Sequence, residues 1–306
     1  MRTVFLGTSD FAGEVLRTLA RSEHRPQLVV TRPDRPRGRG RRLQPPPVAT
    51  VAAELGLPTV QPDDLHAPES LEVIAGAEPQ ALCVCAYGVL IREPLMSLYE
   101  LVNVHPSLLP RWRGAAPIER AIMAGDERTG VSIMRLVAEL DAGPVCLQAQ
   151  VAISGEDDAG TLGERLQDLG GRLLVRALSE RPPYREQPSD GVTYAEKVEA
   201  RDRLLDAGNS AEAEAHRVRA LRPHIGARLR LPDDSFLGVH EAAIHETPVP
   251  AGEVRVGDGL MLLGCADRAL ALLRIQPPGG KPMPVGDWLR GHADVQWLEG
   301  PVPTQP

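Results

Sequence analysis

Three polar side chains in the first half of the sequence have the types and spacing needed for proton-transfer chemistry. Asn103 and His105 close the apolar run LVNVH at 101–105, and in a strand two such residues point to the same face. Asparagine offers a neutral donor to a developing oxyanion, and histidine carries a proton near neutral pH. A structural histidine, hydrogen-bonded beside a loop, explains the same pair, so the residues alone leave both interpretations open.

Asp141 is the third of these side chains and stands in the segment ELDAG at 139–143. A carboxylate between the predicted strands at 131–137 and 145–153 can orient and polarise the histidine. An aspartate that simply forms a turn before a glycine fits this position equally well.

The segment SLLP at 107–110 begins two residues after the histidine and combines exposed backbone groups with two apolar side chains. Such a loop can hold a flat heterocycle, or it can be an ordinary buried loop. The first turn of the chain, between Gly7 and Gly13, superficially resembles a dinucleotide fingerprint. Its glycine spacing is wrong for that motif, so it predicts a tight strand-to-helix turn and does not predict NAD.

A concentrated positive segment, RPDRPRGRGRR at 32–42, stands out in a chain whose formal net charge is −7. Its glycines, prolines and arginines cannot form a buried element, so a solvated or disordered loop is one interpretation. We prefer contact with nucleic acid, because the guanidinium fork matches the oxygens of a phosphate.

The elements that must position these groups alternate between strands and helices. Apolar runs at 2–7, 27–31, 81–88 and 101–105 predict buried strands, and the run ALCVCAYG is typical of a central parallel strand covered on both faces. Helical patterns fall between them, and leucines spaced by three and four residues predict a helix up to about 180. We therefore expect an α/β fold with a doubly wound, mainly parallel open sheet, Rossmann-like in type.

The last third of the chain has a different pattern. The stretch at 181–191 is polar and rich in proline, and after a helical segment at 210–221 several short strand-like runs follow. Short strands at this spacing favour a small β-barrel or a sandwich, and we expect the barrel, OB-like in type. The predicted domains are a catalytic domain at 1–180, a linker at 181–200 and a β-barrel domain at 201–306.

Composition narrows the classes of function. Hydrophobic residues make up 42% of the 306 and aromatic residues only 3%, which argues against base stacking on aromatic platforms. The four cysteines form no CxxC pair, so we expect no metal site. No run reaches about 18 apolar residues, so we expect no contact with a membrane. The N-terminus lacks a signal-peptide pattern, and a reducing cytoplasm fits this cysteine usage.

Several segments together resemble the methionyl-tRNA formyltransferase family. They are FLGTSDFA at 5–12, RPDRPRGRG at 32–40, AYGVLI at 86–91, NVHPSLLPRWRGAAPIERAIMAGDERTGVSIMRL from Asn103, LDAGP from Leu140, and VTYAEK at 192–197. The resemblance covers roughly residues 3 to 200. The Asn-x-His…Asp pattern is common to all folate-dependent formyltransferases, whereas RWRGAAPI and the arginine-rich segment are closer to the enzymes that act on tRNA.

The resemblance implies an enzyme that moves a formyl group from 10-formyltetrahydrofolate to the α-amino group of methionine on initiator tRNA. It also implies that the chain is a monomer and that the C-terminal barrel holds the tRNA. The implied catalytic residues are Asn103, His105 and Asp141. The implied folate-binding residues are Ser107, Leu108, Leu109, Pro110, Ala86, Tyr87, Gly88, Val89 and Leu90. The implied tRNA-binding residues are Arg35, Arg37, Arg39, Arg41 and Arg42.

The sequence departs from the family beyond residue 200, where Leu205-Asp206-Ala207 stands in place of a frequent Asp-Trp pair. Two other functions remain as alternatives. A formyltransferase acting on a small amine, such as an amino sugar nucleotide, would not need the extended arginine-rich segment. A non-catalytic folate- or RNA-binding module would not need all three of Asn103, His105 and Asp141.

Overall fold

The computed structural model describes residues 1–37, 40, 42–231, 234–291 and 300–301. They group into two compact units, each built from three stretches of chain. Unit 1 contains residues 1–117, 128–152 and 163–195, and unit 2 contains residues 118–127, 153–162 and 196–306.

Unit 1 holds the alternating elements that the sequence predicts. Its strands are β1 (Thr3–Gly7), β2 (Leu28–Val30), β3 (Arg35–Arg37), β4 (Arg42–Gln44), β5 (Thr59–Val60), β6 (Ala81–Cys85), β7 (Glu100–His105), β8 (Arg113–Gly114), β9 (Arg128–Arg135), β10 (Val145–Ala152) and β11 (Tyr194–Ala195). Its helices are α1 (Asp10–Ala20), α2 (Pro47–Glu54), α3 (Pro68–Gly76) and α4 (Leu95–Leu98), while α5 (Pro117–Met123) and α6 (Ala159–Glu180) each belong in part to both units.

The main sheet of unit 1 has the strand order β10-β9-β7-β6-β1-β2-β5. The pairs from β7 to β5 are parallel, and β9 and β10 run antiparallel at one side. Strands β1 and β6 are buried along their whole length, because helices cover both faces, and this explains their unbroken apolar sequences. The predicted doubly wound, mainly parallel open sheet is confirmed.

The topology creates a crevice at one edge of this sheet. The chain passes from β1 to β2 on one side and later returns to place β6 on the other side of β1. Ligands of open α/β sheets bind outside the carboxyl ends of the strands at such a reversal. The segments that follow β1, β2, β6 and β7 therefore all begin at this edge.

Helix α1 fixes the first of these segments. The Ser9 side chain accepts a hydrogen bond from the backbone N–H of Ala12 and so caps the helix. The apolar side chains Val15, Leu16 and Leu19 are fully buried. Replacing such a cap with alanine costs about 1 kcal/mol, a modest change beside the burial of these three side chains.

Two stretches of the arginine-rich segment pair as a two-stranded hairpin, so the described part is not a disordered loop; the contact with nucleic acid stays a prediction. Strands β3 and β4 pair antiparallel, with Pro36 opposite Leu43. The Leu43 side chain is 68% exposed, so backbone pairing rather than a core holds the hairpin. Arg39 and Arg41 lie outside the described residues, and only the backbone of Arg37 is described.

The polar segment after α6 is part of unit 1 and pairs with its strands. Arg185 and Val145 exchange two backbone hydrogen bonds of 2.8 and 2.9 Å. Further along, β11 pairs in parallel with β8. The division into domains at 1–180, 181–200 and 201–306 stays a prediction.

Unit 2 is built around an antiparallel sheet, consistent with the predicted small barrel. Its elements are a 3-10 turn (Arg201–Arg203), α7 (Ala211–Ala220), β12 (Ala227–Arg230), β13 (Phe236–His245), β14 (Glu253–Gly257), β15 (Leu260–Gly264), β16 (Ala269–Gln276), β17 (Met283–Pro284), α8 (Val285–Arg290) and β18 (Gly300–Pro301). The sheet order is β12-β13-β16-β15-β14-β18, with β17 beside β16. Leu229, Val239, Leu270 and Trp288 belong to its core. Within the described ranges, no helix has the length and apolar character needed to cross a membrane.

Candidate active site

His105 ends strand β7 and is 4% exposed. Its Nε2 lies 2.8 Å from the backbone oxygen of Trp112. A carbonyl oxygen only accepts hydrogen bonds, so Nε2 carries the hydrogen in this contact. The other ring nitrogen, Nδ1, faces the carboxylate of Asp141 at 3.7 Å from Oδ2. Nδ1 is therefore the nitrogen available for exchange of a proton at the site.

The backbone of Gly114 holds the Asp141 carboxylate. Its Oδ2 accepts a hydrogen bond of 2.8 Å from the N–H of Gly114, and its own φ is +46°. The separation of 3.7 Å from His105 is too long for a direct hydrogen bond. Both groups can therefore contact a third atom placed between them.

Asn103 stands two residues before the histidine on the same face of β7 and is 8% exposed. The next residue on the same face of a strand lies about 6.6 Å away. Strand β7 lies between β6 and β9, with Asn103 opposite Val84 and Met134. The structure thus brings the His105 ring to 3.7 Å from the Asp141 carboxylate and places Asn103 on the same face of β7 as His105.

The turn at 107–110, here called the SLLP turn, is fixed from the neighbouring strand. The fully buried Ser132 hydroxyl donates to the backbone carbonyl oxygen of Ser107 at 2.6 Å and accepts from the Leu109 N–H at 3.1 Å. The Gln148 side chain donates to the Leu109 oxygen at 2.8 Å and to the Ser132 hydroxyl at 2.9 Å. Strands β9 and β10 therefore set the shape of this turn.

The segment at 86–90 leaves the carboxyl end of β6 in an irregular backbone conformation. Ala86 and Gly88 have φ values of +41° and +72°. Tyr87 points into the core, and burial raises its pKa to about 12. Leu90, in contrast, is 69% exposed. The segment therefore presents backbone groups and an apolar side chain at the crevice edge.

Two side chains from other elements anchor this segment. The Thr8 hydroxyl donates to the backbone carbonyl oxygen of Tyr87 at 2.8 Å. A ring nitrogen of His66, Nε2, lies 3.0 Å from the Leu90 oxygen. Because Thr8 follows β1 and Tyr87 follows β6, the first contact joins the two strands between which the topology reverses.

Of the five arginines predicted to bind tRNA, Arg35, Arg37 and Arg42 lie on the two strands of the hairpin that follows β2. Arg35 pairs opposite Gln44 and Arg37 opposite Arg42. The side chains of Arg35 and Arg42 are exposed. They take no part in the hydrogen bonds described above for His105 and Asp141.

Three residues that support the site were missed at the sequence level: Ser132, Arg113 and Gln187. Ser132 lies opposite His105 in the β7–β9 pair, so strand pairing is a signal that could have found it. Arg113 belongs to the motif RWRG but had received no role. Gln187 lies in the segment predicted to be a linker, and no signal in the sequence marks it.

Metal ligation and thiol chemistry find no support in the part of the chain that the structure describes. It contains no group of three or more His, Cys, Asp or Glu side chains able to hold a metal ion. Burial raises the pKa of the Cys83 thiol to about 12, which keeps it neutral. The chemistry available at this edge is hydrogen bonding and proton transfer.

Comparison with known proteins gives one consistent answer. Residues 1–178 match the family model described as formyl transferase, and residues 197–293 match the model of its C-terminal domain. The methionyl-tRNA formyltransferase of Methylococcus capsulatus is 40% identical over 301 residues, spanning 96% of this chain and 97% of that protein. The methionyl-tRNA formyltransferase of Halorhodospira halophila is 43% identical over 299 residues, spanning 95% and 96%.

A solved structure extends the comparison to the fold. The N-formyltransferase of Helicobacter canadensis, crystallised with folinic acid and dTDP-3-aminofucose, superposes with a TM-score of 0.65. The match covers 89% of this chain and 99% of that protein, at 11% sequence identity. At that identity the likeness concerns the fold alone.

Proposed function

The chain belongs to the methionyl-tRNA formyltransferase family, and on that basis we propose that it transfers the formyl group of 10-formyltetrahydrofolate to the α-amino group of methionine on initiator tRNA. The product is the N-formylmethionyl-tRNA used to begin translation. The observation that carries the proposal is 40% identity to a methionyl-tRNA formyltransferase over 96% of the chain. The contact of 3.7 Å between His105 and Asp141 at the crevice edge supports the assignment of the chemistry.

The reaction moves one carbon between two nitrogen atoms. The amine nitrogen attacks the formyl carbon, a tetrahedral oxyanion forms, the bond from carbon to N10 breaks, and N10 takes up the proton that the amine has released. The Asn103 amide donates to the oxyanion. The Nδ1 atom of His105, when protonated, is the second donor, because Nε2 is engaged by the Trp112 carbonyl.

Asp141 receives the proton that the attacking amine loses, directly or through one water molecule. The Gly114 N–H holds its Oδ2 at 2.8 Å, so the carboxylate is in position before substrates arrive. An α-amino group has a pKa of about 7.7 to 8, so roughly a tenth to a sixth of it is already the free nucleophile at pH 7. Positioning then supplies much of the rate.

The formyl donor fits the segments at 86–90 and 107–110. A flat pteridine ring needs apolar contact on its faces and hydrogen-bond partners at its edge. Leu90 is 69% exposed. The irregular backbone of 86–90 supplies carbonyl and N–H groups next to it.

The arginine hairpin is assigned to the phosphates of the tRNA. Arg35 and Arg42 are exposed, and they stand on a chain of net charge −7, so the hairpin is a local positive site on an acidic protein. Replacing both with alanine should weaken tRNA binding uniformly. It should also reduce the slope of log K against log salt by about 1 for each phosphate that the variant no longer neutralises.

The test offers the purified chain and formyl-folate three acceptors: initiator methionyl-tRNA, elongator methionyl-tRNA and an amino sugar nucleotide. We expect formylation of the initiator tRNA, with a strong decrease in tRNA binding as salt rises. Formylation of the sugar nucleotide alone would overturn the acceptor assignment. No formylation of any acceptor would overturn the proposed function.

The proposal includes a monomer that works in the cytoplasm. Sedimentation of the chain with and without tRNA gives its mass directly. A dimer in the absence of tRNA would contradict this part of the proposal and leave the chemistry untouched.

A further inference from the structure

The side-chain amide of Gln187 joins two parts of the site. Its nitrogen donates to the backbone carbonyl oxygen of Asp141 at 2.7 Å and to that of Gly143 at 2.8 Å. Its oxygen accepts from Arg113, at 3.1 Å from Nε and 2.9 Å from Nη2. The amide has two donor hydrogens and two acceptor lone pairs, and all four are used.

The segment at 139–143, here called the ELDAG loop, needs such support. Asp141 has a φ of +46°, in a region of backbone conformation that residues other than glycine rarely adopt. At Gly143, the last residue of the loop, the backbone lies directly against strand β9, because a Cβ added there would collide with the Arg135 carbonyl. Gln187 binds the backbone carbonyls of both Asp141 and Gly143, so it holds the strained residue and the end of the loop together.

Arg113 fixes the other end of the amide. It is 7% exposed, and its backbone N–H donates to the Thr193 oxygen at 2.9 Å. Its Nη1 also lies 3.5 Å from Glu139 of the ELDAG loop. The guanidinium therefore fixes which way the Gln187 amide points, because it can only donate and so faces the amide oxygen.

We propose that Gln187 is a positioning residue for formyl transfer, which sets the ELDAG loop so that the Asp141 carboxylate meets the reacting amine. This inference rests on the proposed function, because it names the support of the same site. Gln187 does not touch the reacting atoms in this account. It acts through the loop backbone, with Arg113 holding the amide in one orientation.

The deciding variant is Gln187→Glu. A glutamate keeps the length of the side chain and its contact with Arg113, but it loses both donors and turns an acceptor toward two carbonyl oxygens. A residue that only attaches the segment at 187–195 through Arg113 would tolerate this change. A residue that positions Asp141 would not.

We expect Gln187→Glu to lower kcat by about ten- to a hundredfold, the cost of a displacement near 1 Å at a reacting group. The KM values for formyl-folate and methionyl-tRNA should stay within about twofold, because the binding segments are untouched. The matched control is Gln150→Glu, the same substitution at an exposed position of β10. It should leave kcat and both KM values unchanged.

Amide hydrogen exchange provides a readout that needs no activity. The Gly114 N–H donates to the Asp141 carboxylate, whereas the neighbouring Arg113 and Ala115 N–H groups donate to the Thr193 and Ala195 oxygens. In Gln187→Glu the rate of amide hydrogen exchange at Gly114 should rise at least fivefold, while the rates at Arg113 and Ala115 should stay unchanged. Gln187→Met, which lacks donors and acceptors, should raise Gly114 exchange as well.

The outcomes separate the two proposals. If the wild-type chain formylates tRNA and Gln187→Glu keeps kcat within twofold, the positioning role is wrong. If the wild-type chain does not formylate tRNA, the proposed function fails, and the exchange of Gly114 still decides whether Gln187 holds the loop. Equal exchange increases at Arg113, Gly114 and Ala115 would mean that Gln187 only attaches the segment, which overturns the inference.

Discussion

The SLLP turn and the ELDAG loop both border His105, yet they are held in different ways. The SLLP turn is fixed by Ser132 and Gln148, which lie on strands β9 and β10 of the same sheet. The ELDAG loop is fixed by Gln187, which belongs to no strand and lies 46 residues beyond Asp141 in the chain.

The difference shows that one site can combine a loop held by the rigid sheet with a loop held by a side chain outside the sheet. A buried hydroxyl within a sheet moves only with the sheet. An amide on a half-buried segment outside the sheet can shift by itself. We therefore expect damage to the first support to appear as reduced stability and weaker folate binding, and damage to the second to appear as slower chemistry.

The largest effect expected on this comparison comes from Asp141→Asn, which keeps an acceptor for the Gly114 N–H and removes the proton acceptor. The turnover number should fall by about a thousandfold, within the range for loss of a general base. The melting temperature should stay close to that of the wild type, and Asp63→Asn, at an exposed position, is the matched control. Steady-state kinetics with initiator methionyl-tRNA measure it, and a decrease of less than tenfold would remove Asp141 from the chemistry.

A smaller effect is expected from Ser132→Ala at the other loop. The change leaves the Ser107 oxygen and the Leu109 N–H without their shared partner, which costs about 1 to 3 kcal/mol in a buried site. Denaturant unfolding should show that decrease in stability, and the KM for formyl-folate should rise several-fold while kcat changes little. A fall in kcat with unchanged stability would erase the distinction between the two loops.

The smallest effect is expected from Gln148→Met. Its amide donates to the same turn, but the residue is exposed, so water can replace these hydrogen bonds in the variant. We expect less than a threefold rise in the KM for formyl-folate and no measurable change in stability. An effect as large as that of Ser132→Ala would mean that Gln148 on β10 supports the turn as much as the buried hydroxyl does.

The sequence predicted the framework of unit 1 because burial leaves a clear pattern. The continuous apolar runs at β1 and β6 predicted parallel strands, and the location of a site at their carboxyl ends followed from general rules of topology. The residues that touch each other at the ends of strands could be proposed for the same reason. Asn103 and His105, two apart at the end of β7, are the clearest example.

The remainder could not be predicted, because it depends on contacts between residues far apart in the chain. The proline-rich composition at 181–191 predicted a linker, and composition carries no record of the hydrogen bonds that Arg185 and Gln187 make to unit 1. The arginine-rich segment likewise has no alternating apolar pattern from which its hairpin could be predicted. Exposed backbone pairing, as between Pro36 and Leu43, leaves little trace in a sequence.

The carbonyl that binds His105 belongs to a tryptophan, and this gives the site its own optical reporter. The Arg111 guanidinium lies over the indole of Trp112, with 4.4 Å between Cζ and the ring centroid, and the chain has only three tryptophans. Any rearrangement around the imidazole should alter the fluorescence emission of Trp112. Arrival of either substrate can therefore be followed in a stopped-flow instrument without a label, with Trp112→Phe identifying the part of the signal that comes from the site.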